Sequence, residues 1–172
     1  VCPTVLSDNL AGIRWAKLVV NCAFSGMSAA LGYSFGQVTG DPEALRCAQY
    51  IARECVLVCR AMGITMEALG PEGAFDTFAD FHSESERKNQ QGIWRRLFSG
   101  TSDGRASMLQ DLEHGRKTEI RYINGIVCDQ GIKAGIPTPY ADMTVRLVEE
   151  AEAAGNVPTA EKLARFISLP RV

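Results

Sequence analysis

The stretch LAGIRWAKLVVNCAFSGMS, residues 10–28, decides the fold class of this chain. Its apolar side chains recur every three or four residues, which is the period at which one face of an α-helix repeats. Ser7, Asp8 and Asn9 stand immediately before it and offer side-chain oxygens that can cap the start of a helix. We therefore predict a long first helix that begins near Leu10.

The same helical period continues along most of the chain. Asp41-Pro42 opens a second predicted helix, with a capping side chain before a proline suited to the first turn, and Gly63 follows its end. Residues 32–40 are expected to separate the two helices. Further helices are predicted over most of 72–98, over 106–113, over 118–134, after 139 and after 158, with an exposed loop at 99–104. No long segment alternates apolar and polar residues as a strand does, so the predicted fold class is all-α.

Composition indicates one domain, residues 1–172. With 46% hydrophobic residues, a chain of this length can bury one sizeable core and is short for two. A formal net charge of -2 argues against nucleic acid as a partner, because phosphate binding needs a basic surface. No apolar run reaches the roughly 20 residues that span a bilayer, so no membrane association is expected.

The six cysteines are scattered through apolar stretches and lack the paired spacing of a metal site. Cys55 and Cys59 lie one helical turn apart, but no second pair completes a tetrahedral set, so no metal is expected. We expect reduced core cysteines and a cytoplasmic protein. The first residues carry neither an initiating Met nor a signal peptide, so the chain is expected to be truncated at its start.

A stripe of polar residues interrupts the first predicted helix. Lys17, Asn21 and Ser25 are spaced by four and project on one side, although the helix is otherwise apolar nearly all round. In one interpretation the stripe is buried or lines a cleft, and the lysine has a partner. In the other, Lys17 extends to solvent and Asn21 caps a neighbouring backbone group.

The segments SMLQD at 107–111 and KTEIRYING at 117–125 form a second candidate region. Ser107 lies near a predicted helix N-terminus, where anions are favoured, and Glu119 opens the next helix, which suits a carboxylate-binding corner. In the structural alternative, Ser107 is a helix cap and Glu119 is a counter-charge to the helix dipole.

Four segments resemble the C-terminal domain of ketopantoate reductases, in the same order and at similar spacing. They are residues 15–21, 107–111, 118–125 and 135–139, all within the range 14–139. The resemblance implies an all-α, multi-helix domain of the 6-phosphogluconate dehydrogenase C-terminal-like type. Residues 64–104 match weakly and look longer than in many members of the family.

The resemblance also implies a two-domain enzyme, in which an N-terminal Rossmann domain binds NADPH and this helical domain closes over a 2-keto acid. No Gly-x-Gly-x-x-Gly motif follows a strand here, so the nucleotide-binding half is expected to be absent and the isolated chain inactive. The family pattern implies Lys17 as general acid and Glu119 as the residue that orients Lys17 or the substrate hydroxyl. The substrate-binding residues that it implies are Asn21, Ser25 and Ser107.

Three departures from the family pattern bear on the substrate. Members often carry a second Asn where this chain has Ser25 and a Pro where it has Gly26, and position 104 is Gly where an Asn can occur. The leading prediction is reduction of ketopantoate to pantoate, in pantothenate and coenzyme A biosynthesis. The alternatives are a paralogous reductase of another 2-keto acid and a non-catalytic helical domain used for dimerisation or partner binding. The resemblance makes a homodimer a reasonable expectation.

Overall fold

A computed structural model of the chain describes residues 7–171, and all regular secondary structure in that range is helical. The all-α fold class predicted from the sequence is therefore confirmed. Short 3₁₀ turns and one π-helical turn, Asn21–Ser25, join or extend the α-helices. The α-helices are α1 (Leu10–Val20), α2 (Gly26–Leu31), α3 (Phe35–Gly40), α4 (Pro42–Ala61), α5 (Glu84–Phe98), α6 (Ser107–Glu113), α7 (Asn124–Ala134), α8 (Pro139–Ala154) and α9 (Ala164–Ile167).

The predicted long first helix consists of α1, the π-helical turn and α2 in one continuous run. It begins where Asn9 accepts a hydrogen bond from the backbone N–H of Gly12 at 2.9 Å. It ends at Gly32, whose φ of 67° lies in the left-handed region that glycine adopts without strain. The cap and the glycine thus set the length of the run.

The second predicted helix is α4, and it lies at the centre of the fold. Asp41 caps it by accepting hydrogen bonds from the backbone N–H groups of Glu43 and Ala44. It packs against α1, the π-helical turn, α3, α7 and α8, and most of its residues are buried. A helix buried nearly all round is expected when neighbours cover every face.

Three ranges predicted from the sequence differ from the structure, and two of them are residues 32–40 and 72–98. Residues 32–40, predicted to be a break, contain α3, because Ser34 and Gln37 form a reciprocal capping box that starts a helix. Most of 72–98 was predicted to be helical, but α5 begins only at Glu84, after Ser83 caps it.

The phenylalanines before α5 explain that second error. Phe75, Phe78 and Phe81 are spaced by three, a spacing that suggests a helix, but Phe75 and Phe78 instead pack against Trp94 of α5. The spacing of these phenylalanines therefore reflects the tertiary packing of an irregular segment and not a helix. The segment keeps only one 3₁₀ turn, Phe75–Thr77.

Residues 118–134 are helical for only part of the predicted range. Thr118 is held by Glu152 of α8, whose carboxylate accepts hydrogen bonds from its backbone N–H and its hydroxyl, both at 2.7 Å. A 3₁₀ turn, Ile120–Tyr122, follows, and α7 starts at Asn124. The exposed loop predicted at 99–104 contains the 3₁₀ turn Ser99–Thr101, and α9 is the short helix predicted after residue 158.

One buried carboxylate connects α4 to α8. Both oxygens of Glu54 accept backbone hydrogen bonds at 2.8 Å, from Tyr140 and Ala141 in the first turn of α8. Burial raises the pKa of Glu54 to about 8, although the two N–H donors and Arg53 act in the opposite direction. Glu54 therefore caps α8 from a neighbouring helix.

Five of the six cysteines lie among the described residues; all five are free and four of them are buried. Burial raises the pKa of the Cys47 and Cys59 thiols to about 12, so both stay protonated near neutral pH. This agrees with their interpretation as core residues. Cys2 lies outside the described residues.

Candidate functional site

The polar stripe of the first helix separates into an exposed lysine and two partly buried residues. Lys17, in the last turn of α1, is exposed, whereas Asn21 and Ser25 are half-buried. Within residues 7–171, Lys17 takes part in no ion pair or side-chain hydrogen bond. Its ammonium group is therefore accessible from solvent, as the second interpretation expects for Lys17, but no described hydrogen bond from the Asn21 side chain caps a backbone group.

Asn21 and Ser25 are the first and last residues of the π-helical turn. In this turn the backbone N–H of Gly26 donates to the carbonyl of Asn21, five residues back, instead of to that of Cys22. Single π-helical turns inside α-helices often occur at functional sites, because the extra residue redirects the side chains around it. Spacing by four could not predict this turn.

Asn124 supports the π-helical turn from α7. Its Nδ2 donates a hydrogen bond at 3.1 Å to the carbonyl oxygen of Cys22. The side chain is completely buried, and its Oδ1 accepts no hydrogen bond from the described residues. A Cβ added at Gly26 would lie 2.8 Å from that Oδ1, so Gly26 permits the close approach of α2 and α7. Asn124 is thus a functional candidate that the sequence analysis missed, although it lies inside the TEIRYING segment.

Ser107 is the first residue of α6, and it is exposed. The preceding residue, Ala106, occupies the capping position, and no side chain caps this helix among the described residues. The interpretation of Ser107 as a helix cap is therefore not supported. The backbone N–H of Ala106 donates to the hydroxyl of Ser28 on α2, and α6 packs against α2 and the π-helical turn.

Glu119 precedes the 3₁₀ turn Ile120–Tyr122 and is also exposed. Its carbonyl accepts backbone hydrogen bonds from Tyr122 and Ile123, which fixes the start of the turn. In the described part of the chain, no ion pair or hydrogen bond joins the side chains of Glu119 and Lys17. Both groups are left available for other partners.

A cavity of about 380 Å³ brings Asn21 and Ser25 together with residues that the sequence analysis had not assigned. We call it the phenylalanine cavity, because its walls include five phenylalanines, from the π-helical turn, α3, the 69–78 segment and the end of α5. These are Phe24, Phe35, Phe75, Phe78 and Phe98. The long segment 64–104 thus builds much of its wall. Lys17, Ser107 and Glu119 do not line it.

A more open groove of about 490 Å³ lies along α1. Trp15 and Leu18 of α1 form one wall, and Tyr122 and Ile126, which follow Glu119 in the chain, form the other. The groove therefore places the end of α1 and the TEIRYING segment next to each other. Neither Lys17 nor Glu119 lines the groove.

The described residues do not include the structural unit that usually binds a dinucleotide. Residues 7–171 contain no strand, so the strand–glycine loop–helix unit that holds a pyrophosphate does not form among them. Gly32 and Gly36 lie at the junction of α2 and α3 instead. The same residues include no cluster of three or more His, Cys, Asp or Glu side chains that could hold a metal ion. None of their helices is long and apolar enough to cross a membrane.

Comparison with known proteins gives consistent similarities. The sequence family described as "Ketopantoate reductase PanE/ApbA C terminal" matches residues 9–152. The chain is 30% identical over 139 residues to the 2-dehydropantoate 2-reductase of Archaeoglobus fulgidus, covering 81% of this chain and 40% of that relative. It is 28% identical over 151 residues to the enzyme of the same name from Pyrobaculum aerophilum, covering 88% and 47%. The chain thus spans less than half the length of these relatives.

Solved structures give the same result for the fold. The PanE/ApbA family ketopantoate reductase from Ralstonia eutropha JMP134 matches with a TM-score of 0.69 and 26% identity, over 87% of this chain and 43% of that chain. D-mandelate dehydrogenase, in a ternary structure with NADH and anilino(oxo)acetate, matches with a TM-score of 0.67 and 25% identity, over 88% and 44%.

Proposed function

This chain belongs to the C-terminal family of ketopantoate reductases, and from that membership we propose that it is the substrate-binding half of an NADPH-dependent 2-keto-acid reductase. The proposed reaction is the reduction of 2-dehydropantoate to pantoate, which supplies pantothenate and coenzyme A biosynthesis. The observation that carries the proposal is an unpaired, exposed lysine one helical turn before two polar residues that line a cavity.

Lys17 is the proposed general acid. Reduced nicotinamide, when bound, supplies a hydride to C2 of the keto acid. The ketone oxygen then becomes a developing alkoxide, which needs a positive charge nearby and a proton. The Lys17 ammonium can supply both, because no carboxylate among the described residues pairs with it.

The substrate carboxylate needs hydrogen-bond donors that do not compete with the proton donor. The Ser107 hydroxyl and the Asn21 amide are the proposed donors, and Ser25 contributes a shorter hydroxyl, directly or through a water molecule. Glu119 is the proposed orienting residue for Lys17 or for a substrate hydroxyl. Support comes from its exposure and from the absence of a side-chain partner among the described residues, which leave the Glu119 carboxylate available for this role.

NADPH is proposed to bind mainly to an N-terminal Rossmann domain. The described residues offer no dinucleotide loop, and the matched relatives are more than twice as long as the matched region. We therefore expect the 172-residue chain alone to be inactive. We also propose that the protein is cytoplasmic, because the five described cysteines are free. The family resemblance is the basis for proposing a homodimer.

A reductase of a different 2-keto acid is the second candidate. It is favoured by the similarity to D-mandelate dehydrogenase, which was solved with anilino(oxo)acetate, and by the departures from the family pattern at Ser25, which lines the cavity, and at the adjacent Gly26. The apolar walls beside Ser25 suit a hydrocarbon side chain.

The test uses the full-length gene product. NADPH oxidation is followed with ketopantoate, and NADPH binding is measured separately by fluorescence. Turnover with ketopantoate is the expected result. NADPH binding without ketopantoate turnover would favour the second candidate, and absence of NADPH binding would contradict the reductase function and favour a non-catalytic domain.

A further inference from the structure

The phenylalanine cavity has the composition of a pocket for a hydrocarbon group. Resting on the reductase function proposed above, we propose that this cavity receives the side chain of the 2-keto acid. The preferred substrates are then 2-keto acids whose side chain is bulky and apolar, aromatic ones included. A volume of about 380 Å³ lies in the range of small-molecule sites.

The walls of the cavity are held in place by ring stacking. The ring of Phe98 lies 3.6 Å from that of Phe24, centroid to centroid, and 5.7 Å from that of Phe35. Phe24 is completely buried and also stacks on Trp94 at 5.6 Å. These contacts preorganise an aromatic surface, against which an aromatic or branched side chain gains hydrophobic and stacking interactions.

The cavity has no positive charge for a carboxylate. Of the described residues that line it, Glu72 alone is charged, and Arg96 neutralises it through two hydrogen bonds at 3.0 Å. The Thr101 hydroxyl donates to the carbonyl of Phe98. The keto acid's carboxylate is therefore proposed to stay at the rim, where Asn21 is one of its donors, and only the uncharged side chain enters the interior.

The polar residues of the cavity lie on one side and fix the orientation of the proposed substrate. Asn21 and Ser25 lie on one wall, and Lys17 precedes Asn21 by one turn of the same helix run. With C2 and its carbonyl oxygen near Lys17, a side chain attached to C2 passes Asn21 and Ser25 and enters the cavity. The long segment 64–104 then selects the substrate, since it forms the opposite wall.

The test compares two substrates of the full-length enzyme, phenylpyruvate and pyruvate, which differ only in the phenyl group. We expect kcat/KM for phenylpyruvate to exceed that for pyruvate at least about tenfold, because an apolar pocket discriminates roughly 10–200-fold for a single methylene and a phenyl group is larger. Gly70→Leu adds a hydrocarbon side chain at the cavity wall, where a Cβ meets no atom within 4 Å and the φ of Gly70 is not in the left-handed region. The matched control is Gly100→Leu, at an equally open glycine that does not line the cavity.

Gly70→Leu should lower the phenylpyruvate-to-pyruvate ratio at least about fivefold, and Leu97→Asn, a near-isosteric polar change in the wall, should do the same. Gly100→Leu should leave the ratio unchanged. Turnover of pyruvate or ketopantoate with no preference for phenylpyruvate would overturn this proposal while leaving the reductase function intact. A ratio unaffected by both wall variants would also overturn it, and no turnover of any 2-keto acid would overturn both proposals.

Discussion

The buried carboxyl of Glu54 links the stability of the protein to pH. Burial raises its pKa to about 8, whereas a glutamate in the unfolded chain titrates near 4.3. Between these values the folded state binds more protons than the unfolded state, so the free energy of unfolding falls as pH rises. The stabilisation is complete below about pH 4 and is lost by about pH 8, with a slope of at most about 1.4 kcal/mol per pH unit.

Glu54→Gln should remove this slope, because glutamine keeps one acceptor for the α8 N–H groups and does not titrate. Urea unfolding at several pH values between 5 and 8 measures the slope in both proteins. Equal slopes in the wild type and the variant would contradict the assignment. The exposed histidines, His82 and His114, are present in both and cancel in the comparison.

Single residues differ in how far the sequence predicts their surroundings. The spacing of Lys17, Asn21 and Ser25 predicted a common side of one helix, since spacing is a local property. The capping role of Glu54 was not predictable, because its partners lie 86 and 87 residues away in the chain. The roles of Lys17 and Glu119 as acid and orienting residue remain predictions.

At the scale of helices, Gly26 tests how closely the buried Asn124 of α7 packs against α2, and Gly92 on α5 is the control. Gly26→Ala would place a Cβ 2.8 Å from Oδ1 of the buried Asn124, and the resulting overpacking should destabilise the protein by about 1–3 kcal/mol. Gly92→Ala, at an exposed position of α5, would place a Cβ 3.6 Å from the end of Arg96 and should stabilise the protein by about 0.5–1 kcal/mol. Thermal unfolding of both variants is the measurement.

The pair is informative because both glycines have helical backbones and differ mainly in burial. If Gly26→Ala were as stable as Gly92→Ala, the conclusion that Asn124 packs closely against the π-helical turn would be contradicted. Substrate KM in the full-length enzyme should also rise for Gly26→Ala, since Asn21 and Ser25 occupy that turn.

Helix limits were predictable where local signals set them. Asp41-Pro42 and Gly63 bracket α4 as expected, and Gly135, with a φ of 69°, ends α7. The π-helical turn and the irregular chain before α5 were not predictable, because Asn124 and Trp94 stabilise them from distant segments. The phenylalanine cavity was missed for the same reason.

At the scale of the whole molecule, the proposed activity is divided between two domains. This chain spans less than half the length of the curated relatives it matches. It contributes the exposed lysine, the polar turn and the apolar cavity, while the described residues hold no site for a dinucleotide. We therefore propose that this chain's part in the reaction is proton donation.

The most direct test is steady-state NADPH oxidation with 2-keto acid by the full-length protein and its Lys17→Ala variant. The account predicts a loss in kcat of about 100-fold or more, the usual contribution of a positioned general acid, with NADPH binding unchanged. The matched control is Lys133→Ala, which removes a different exposed lysine that lies on α7 and should retain wild-type turnover. A Lys17→Ala enzyme as active as the wild type would contradict the central claim that Lys17 donates the proton.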